Sequence, residues 1–301
     1  ADPAWARAFL AGHGLPPAYG RTLDEVAGPL AARFATETQG RRTPLVVGLC
    51  GPQASGKSTL AAAVAGLLEA QGLTVAVLSI DDLYLSHAAR QGLGAEVHPL
   101  LATRGPPGTH DVALGLRVLD DLAERRPTAL PRFDKARDDL APTSAWPTTP
   151  AKVDVALFEG WCVGARPQGA EALEAPVNDL EARRDPDGLW RRYVNDSLAG
   201  PYQRLFDRID LLILLQAPGF NVVAGWRQEQ ERKLRTRLAA EGADLARSMS
   251  DDEVLAFVQL YERLTTHILA TMPAYADAAI PMTAERTMRP PRWSARPRRN
   301  V

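Results

Sequence analysis

Gly51-Pro52-Gln53-Ala54-Ser55-Gly56-Lys57-Ser58-Thr59 is the stretch on which the reading of this chain turns. It spells G-x-x-x-x-G-K-S, the P-loop pattern. In such a loop successive backbone N–H groups curl around phosphate oxygens, and the helix that follows aims its positive end at the same anion. Glycines let the backbone take conformations that a Cβ forbids. Lys57 reaches the outer phosphates, and the Ser58 hydroxyl can hold Mg²⁺. Gly51, Pro52, Gln53, Ala54, Ser55, Gly56, Lys57, Ser58 and Thr59 are therefore the expected triphosphate-binding set.

The flanks fit the motif. Leu45 to Cys50 is an apolar, partly β-branched run suited to a buried parallel strand. Leu60 to Ala70 is rich in helix formers and lacks proline. Strand, glycine loop and helix come in the required order. A second strand is expected at Leu73–Ile80, entered through the turn Gln71-Gly72, which makes a βαβ unit. It ends at Asp81-Asp82-Leu83-Tyr84. Ligands of open α/β sheets sit at the carboxyl ends of strands, so this acid pair is well placed for chemistry. Val153 to Trp161 reads as a third strand that delivers Glu159 to the same edge, within reach of Mg²⁺ or its waters. Trp161 suits core packing and substrate contact equally. A fourth strand is expected at Ile209–Leu215, ended by Ala217-Pro218-Gly219, where an adenine could pack.

Composition bounds the class. The 301 residues include 46% hydrophobic residues, enough for one large core. With 35 basic and 36 acidic residues the formal net charge is −1, so no global basic field attracts nucleic acid or anionic membrane. No apolar run approaches the ~20 residues of a membrane span. Ala1-Asp2-Pro3 does not open a signal peptide. Two cysteines, Cys50 and Cys162, make no disulfide framework, and a cytoplasmic protein is expected.

The remaining segments frame that core. Residues 1–42 read as a helical extension, with an amphipathic helix at Asp24–Thr38 that Pro29 should kink or split. The P-loop domain spans 43–285. Loop residues 86–111 carry histidines without metal-ligand spacing. Leu130 to Asp139 is charge-dense and reads as a loop. Gly200-Pro201 should break the helix Leu189–Phe206. Val222–Leu238 is a polar helix rich in Arg and Lys: either a self-paired solvated helix or a lid that carries cations over phosphates. Ser250–Ala270 is an amphipathic helix. Residues 286–301, with Arg289, Arg292, Arg296, Arg298 and Arg299 among prolines, read as a disordered basic tail. The fold class is thus α/β: a P-loop NTPase three-layer sandwich with a mostly parallel sheet, a helical N-terminal extension and a lid helix.

Elimination narrows the function. No guanine-reading Asn/Thr-Lys-x-Asp and no Leu-Ser-Gly-Gly-Gln occurs, and the strand at Glu159 ends in Glu-Gly rather than Asp-Glu. A small-molecule kinase remains. The other readings are a nucleotide-dependent regulatory protein and a nucleic-acid kinase, and the neutral composition supplies no basic groove for the last.

The ordered series GPQASGKST, SIDDLYL, RGPPGTHD, PRFDKARDD, LFEGWCVGARP, YVND and GWRQEQERKLR resembles the D-glycerate 3-kinase family. That family stands in the wider group of uridine kinases, phosphoribulokinases and P-loop pantothenate kinases. The resemblance implies ATP- and Mg²⁺-dependent phosphorylation of a small hydroxy acid, D-glycerate first, and leaves the oligomeric state open. It implies that Asp81 accepts the proton of the attacking hydroxyl. Asp82 and Tyr84 follow in the same motif. Arg104, His110 and Asp111 fall in one substrate loop; Asp134, Lys135 and Arg137 fall in a second, and Trp161 stands nearby. Ser58 and Glu159 match the metal site. Arg227, Lys233, Arg235 and Arg237 lie in the lid helix. Arg235 is expected at the transferred phosphoryl group, Lys233 and Arg237 at the nucleotide phosphates. One departure is Leu83, where uridine kinases have Phe.

Lys57 serves charge rather than packing. Lys57→Ala should therefore abolish nearly all phosphoryl transfer while thermal unfolding stays within a few degrees of wild type. Equal turnover in mutant and wild type would end the P-loop reading.

Overall fold

The computed structural model describes residues 2–242 and 248–295. The run ahead of the phosphate loop is strand β1 (Leu45–Cys50). It is followed by β2 (Val75–Ser79), a short hairpin β3 (Phe133–Asp134) and β4 (Asp139–Leu140), then β5 (Val155–Gly160), β6 (Leu211–Gln216), β7 (Ala278–Pro281) and β8 (Arg292–Trp293). The main sheet has the order β2-β5-β1-β6-β7-β8. All neighbours are parallel except β8, which runs antiparallel to β7.

Side chains alternate across this sheet with the period of two that a strand imposes. Val47, Leu157 and Ile213 point into one cluster, together with Leu60, Val64 and Leu68 of α4 (Lys57–Glu69). Phe158, Leu212 and Leu214 point into the other, with Val118, Leu119, Trp190, Leu205 and Leu260. Burial on both faces explains why the strands read as continuous apolar runs.

The helices form the outer layers. α1 (Pro3–Gly12), α2 (Gly20–Thr22) and α3 (Gly28–Glu37) precede the sheet, and α4 follows the phosphate loop. α5 (His87–Glu96), α6 (Val112–Ala123), α7 (Asp179–Arg184), α8 (Leu189–Ser197) and α9 (Gln203–Phe206) lie between β2 and β6 in sequence. α10 (Phe220–Ala240) and α11 (Asp251–Thr271) come between β6 and β7. Ser250 starts α11 with a full capping box, its Oγ accepting from the Glu253 N–H while the Glu253 side chain accepts from the Ser250 N–H.

Several details differ from the sequence expectation. Pro29 does not split its helix: a π turn over Leu23–Ala27 joins α2 to α3, and the wider turn makes room for the proline ring. The N-terminal helices pack on the core, as a helical extension should. Phe9, Leu23, Val26, Leu30 and Phe34 share one buried cluster with α4. The charge-dense stretch 130–139 is the β3–β4 hairpin rather than a loop. Its turn forms where the Asp134 carboxylate accepts from the N–H groups of Ala136 and Arg137, at 2.9 and 3.2 Å.

Strands β7 and β8 had no sequence expectation, and β8 lies within the stretch read as a disordered tail. Arg292 and Trp293 pair with Ala279 and Ala278, and the Arg33 guanidinium sits 5.0 Å above the Trp293 ring. Arg296, Arg298 and Arg299 lie outside the described residues. Gly200 leaves helical geometry (φ −95°, ψ −105°) and separates α8 from α9, where a break was expected. Among the described residues no helix is long and apolar enough to cross a membrane.

Phe34 is 2% exposed and belongs to the cluster under the P-loop helix. Phe34→Ala should lower the unfolding free energy by about 3–5 kcal/mol in urea titrations. A loss under about 1 kcal/mol would show that the N-terminal helices are not part of the cooperative core.

Candidate active site

The sheet order brings three strand ends side by side. In the register, Glu159 of β5 stands level with Leu49 of β1 and with Ser79 of β2. The phosphate loop leaves β1, the Asp81 turn leaves β2, and Glu159 lies between them. The phosphate loop and Asp81 line a cleft of about 650 Å³ that α10 and α11 also line, and Glu159 stands behind Ser58.

The phosphate loop has the backbone that its glycines predict. Gly56 sits at φ +88° directly before α4, and Ala54 also takes a left-handed φ of 56°. Ser58 in the first turn of α4 donates its hydroxyl hydrogen to Glu159 Oε1 at 3.0 Å. Glu159 is buried, and its other oxygen, Oε2, has no partner among the described residues. A hydroxyl and a half-satisfied carboxylate at a helix N-terminus suit a hard oxygen-seeking cation. Mg²⁺ takes only one or two protein ligands when phosphates and water complete its shell. No group of three or more His, Cys, Asp or Glu side chains could hold a metal among the described residues.

Asp81 lies at the cleft in a 3₁₀ turn, Ile80–Leu83. Its Oδ2 accepts from Lys135 Nζ at 2.7 Å and its Oδ1 from the Tyr84 hydroxyl at 3.0 Å. Burial by itself raises this carboxyl, but the Lys135 and Lys57 ammonium groups outweigh it and hold the pKa down at about 2. Asp81 is thus ionised at any working pH. Its neighbour Asp82 faces elsewhere, because successive residues of a 3₁₀ turn point about 120° apart. The Asp82 carboxylate accepts from the Phe133 N–H at 3.0 Å and from Arg132 at 3.5 Å, and so ties the hairpin to the sheet.

The two expected substrate loops divide. Arg104 and Lys135 line the cleft. Each already has a carboxylate partner, Asp138 for Arg104 and Asp81 for Lys135. Asp138 also takes His87 and the fully buried Arg90, both at 2.9 Å, and this cluster fixes the hairpin over α5. The other expected contacts do not line the cleft. Asp111 caps α6 by accepting from the Leu114 N–H at 2.8 Å. Asp134 makes the hairpin turn, and Arg137 stands exposed on that turn. His110 is buried beneath Tyr84, with ring centroids 4.5 Å apart. Trp161 is buried behind Tyr261: it is 3% exposed and donates its Nε1–H to the Gly105 carbonyl at 3.1 Å.

The lid helix is corrected as well. Arg227, Glu231, Leu234 and Arg237 form a stripe of three- and four-residue steps that faces the cleft, with Lys233 beside it. Arg235 falls on a different stripe. With Arg232 it grips Asp251 at the start of α11, at 2.7 and 2.5 Å, and it also donates to the Met249 carbonyl. Arg235 therefore secures α10 to α11, and Arg227, held by Glu231 at 2.6 Å, is the cation turned inward.

Sequence reasoning missed the far wall. Phe257 and Tyr261 of α11 line the cleft. Tyr261 packs edge-on against Trp161 at 4.8 Å and lies over Gly105. A Cβ at Gly105 would come within 2.2 Å of the Tyr261 hydroxyl oxygen, and the residue sits at φ +145°, so only glycine fits. No local signal marks Tyr261, since its helix reads as ordinary amphipathic packing. Both thiols of the site region are free and buried, and burial pushes Cys50 up to about 12, with Lys57 working against it.

Known proteins share this architecture. No family model matches the chain. The uncharacterized kinase mug58 of Schizosaccharomyces pombe is 34% identical over 238 residues, covering 76% of this chain and 82% of that protein. The chloroplastic D-glycerate 3-kinase of Arabidopsis thaliana is 31% identical over 228 residues. Those residues are 72% of this chain and 46% of the plant enzyme, so the chain spans about half of that relative's length. Among solved structures, a D-glycerate 3-kinase from Cryptococcus neoformans superposes with a TM-score of 0.73 at 24% identity, covering 91% of this chain and 99% of that one, and shows the same fold. At 34% identity over 82% of mug58, and with this fold, the chain belongs to the kinase family of that protein, and it is similar to D-glycerate 3-kinases in sequence and in fold.

Proposed function

We propose that this protein transfers the γ-phosphoryl group of ATP to a hydroxyl of D-glycerate, giving 3-phosphoglycerate. One observation carries the reading: an ionised Asp81 shares the phosphate cleft with Lys57, Lys135 and Arg104. A small hydroxy acid offers what this set can recognise, a hydroxyl for the carboxylate and a carboxylate for a cation. A guanidinium such as Arg104 can take that carboxylate with two hydrogen bonds. The family membership and the named activities of the Arabidopsis and Cryptococcus relatives support the same acceptor.

The chemistry follows from the charges. The backbone N–H groups of the loop and Lys57 hold the triphosphate, and Arg227 and Lys233 of α10 meet it from the other side of the cleft. Mg²⁺, when bound, would neutralise phosphate charge, with Ser58 and Glu159 holding it. The acceptor hydroxyl donates its hydrogen bond to Asp81, while Lys135 steadies the second oxygen. A carboxyl held at about 2 is a weak base toward a free alcohol. It takes the proton once the new O–P bond is forming and the hydroxyl has become acidic, as a loose transition state allows. The bond from the γ-phosphorus to the bridging oxygen breaks, and ADP leaves with the electron pair. A cytoplasmic location is part of the proposal and rests on the two unpaired thiols.

A coupled ADP-release assay over D-glycerate, L-glycerate, uridine, pantothenate and ribulose 5-phosphate tests the acceptor. D-glycerate should be fastest. If uridine or pantothenate outruns it, the acceptor is wrong although the family stands. No acceptor-dependent release at all would favour a regulatory nucleotide-binding role. Arg104→Ala should raise the KM for D-glycerate and leave that for ATP unchanged.

The two carboxylates should part in phenotype. Asp81→Asn should lower kcat by about 10²–10⁴-fold with little change in ATP affinity. Glu159→Gln should instead move the Mg²⁺ concentration needed for half-maximal rate. Swapped phenotypes would mean that proton acceptor and metal ligand have been exchanged.

A further inference from the structure

Behind Asp81 stands a row of buried rings that none of the roles above uses. Tyr84, whose hydroxyl donates to Asp81, stacks on His110 with centroids 4.5 Å apart and planes 20° from parallel. The edge of Phe133 closes the other side of Tyr84, at 5.3 Å and 73°. His110 Nδ1 lies 2.6 Å from the hydroxyl of Tyr202, and the Tyr202 ring meets the imidazole edge-on at 5.7 Å. Tyr202 follows the Gly200-Pro201 break, at the end of the π turn that leads into α9.

The partners of this row favour one placement of its hydrogens. The Gly108 N–H donates to the Tyr202 oxygen at 2.9 Å. With Nδ1 unprotonated, the Tyr202 hydroxyl hydrogen has an acceptor in His110 Nδ1, and this is the tautomer that satisfies the Tyr202 donor. The proton of the neutral ring then sits on Nε2. Burial holds the imidazole neutral, with a pKa of about 3 that the charge of Asp81 opposes only in part. His110 Nε2 is buried without a hydrogen-bond partner among the described residues. Leaving such a group unmatched carries a desolvation cost. Turning the ring to satisfy it would break both the stack on Tyr84 and the bond from Tyr202.

We propose that Tyr202 and His110 are positioning residues for Asp81. Tyr202 fixes the tautomer and plane of His110, His110 fixes the plane of Tyr84, and Tyr84 presents its hydroxyl to Asp81 Oδ1. The row holds Oδ1 as Lys135 holds Oδ2, so the orientation of the carboxylate is set before the acceptor arrives, and a second lone pair on Oδ1 remains to accept from it. The tertiary link is long, because Tyr202 is 92 residues from His110 in sequence. The inference rests on the kinase reading above, since it assigns the row to the proton-accepting group of that reaction.

The test is a double-mutant cycle on kcat with ATP and D-glycerate. Tyr202→Phe should lower kcat about tenfold or more while the KM for ATP changes less than about twofold. In the Asp81→Asn background the same substitution should cost less than about twofold, because the group it positions is already disabled. Equal losses in both backgrounds would overturn the proposal, as would a loss confined to the KM for ATP. If Tyr202→Phe does not fold, His110→Phe, which keeps a ring against Tyr84 but removes the Nδ1 acceptor, runs through the same cycle with the same two outcomes.

A second readout needs no turnover. Long-range ¹H–¹⁵N spectra of the wild-type protein should show His110 with Nδ1 unprotonated and Nε2 protonated, and Tyr202→Phe should shift the Nδ1 resonance. A protonated Nδ1 in the wild type would refute the assignment. Failure of the kinase reading itself would appear separately, as absent acceptor-dependent ADP release in the wild type before any variant is compared.

Discussion

The register of β5 between β1 and β2 is the constraint on which the site depends. It sets Glu159 level with Leu49 on one side and Ser79 on the other. The phosphate loop and the Asp81 turn therefore emerge next to the same carboxylate. Parallel hydrogen bonding fixes that register along every residue of the strand, and a slip of one residue would turn Glu159 into the opposite layer. Neither β1 nor β2 is next to the other. The crossover through α4 leaves a gap between them that only a later strand can fill, and β5 fills it.

Around this frame the charges are matched before any ligand enters. Lys135 lies on Asp81, Arg104 on Asp138, Arg227 on Glu231, and Arg232 and Arg235 on Asp251. The more exposed pairs at the cleft, Lys135 on Asp81 and Arg104 on Asp138, contribute little net stability, about 0–1 kcal/mol each. A carboxylate or phosphate arriving there can therefore compete for Arg104 or Lys135 at modest cost. The pairs buried away from the cleft behave differently. Arg263 with Glu181 and Arg191 with Asp185 are almost fully enclosed, and each arginine also donates to backbone carbonyls. The first pins α7 to α11 and the second pins α8 to the segment 173–185, and breaking either would strand a charge in the interior.

Much of the fold was legible because its signals are local. A strand buried on both faces is an apolar run, and a phosphate loop needs glycine where φ turns positive, as at Gly56. The helix start at Ser250 and the break at Gly200-Pro201 were legible for the same reason. β7 and β8 escaped notice because Ala278–Pro281 is short and weakly apolar, and it becomes a strand by pairing with β6. The β3–β4 hairpin escaped because its charges read as solvation, whereas Asp138 and Asp82 are spent on cross-links within the structure.

The sequence by itself determined the phosphate loop, the order of strands and helices around it, and the acids at strand ends, since each depends on neighbours a few residues apart. Only the tertiary structure decided which polar side chains reach the cleft. Arg227 faces inward and Arg235 does not, because α11 offers Asp251 to one stripe of α10. His110 sits behind Tyr84 rather than at the cleft, because Tyr202 holds it there. Tyr261 closes the far wall across a hundred or more residues of chain, through contact with Trp161 and the carbonyl of Arg104. These choices arise from packing between distant segments, and packing partners leave no mark in the local pattern of either segment.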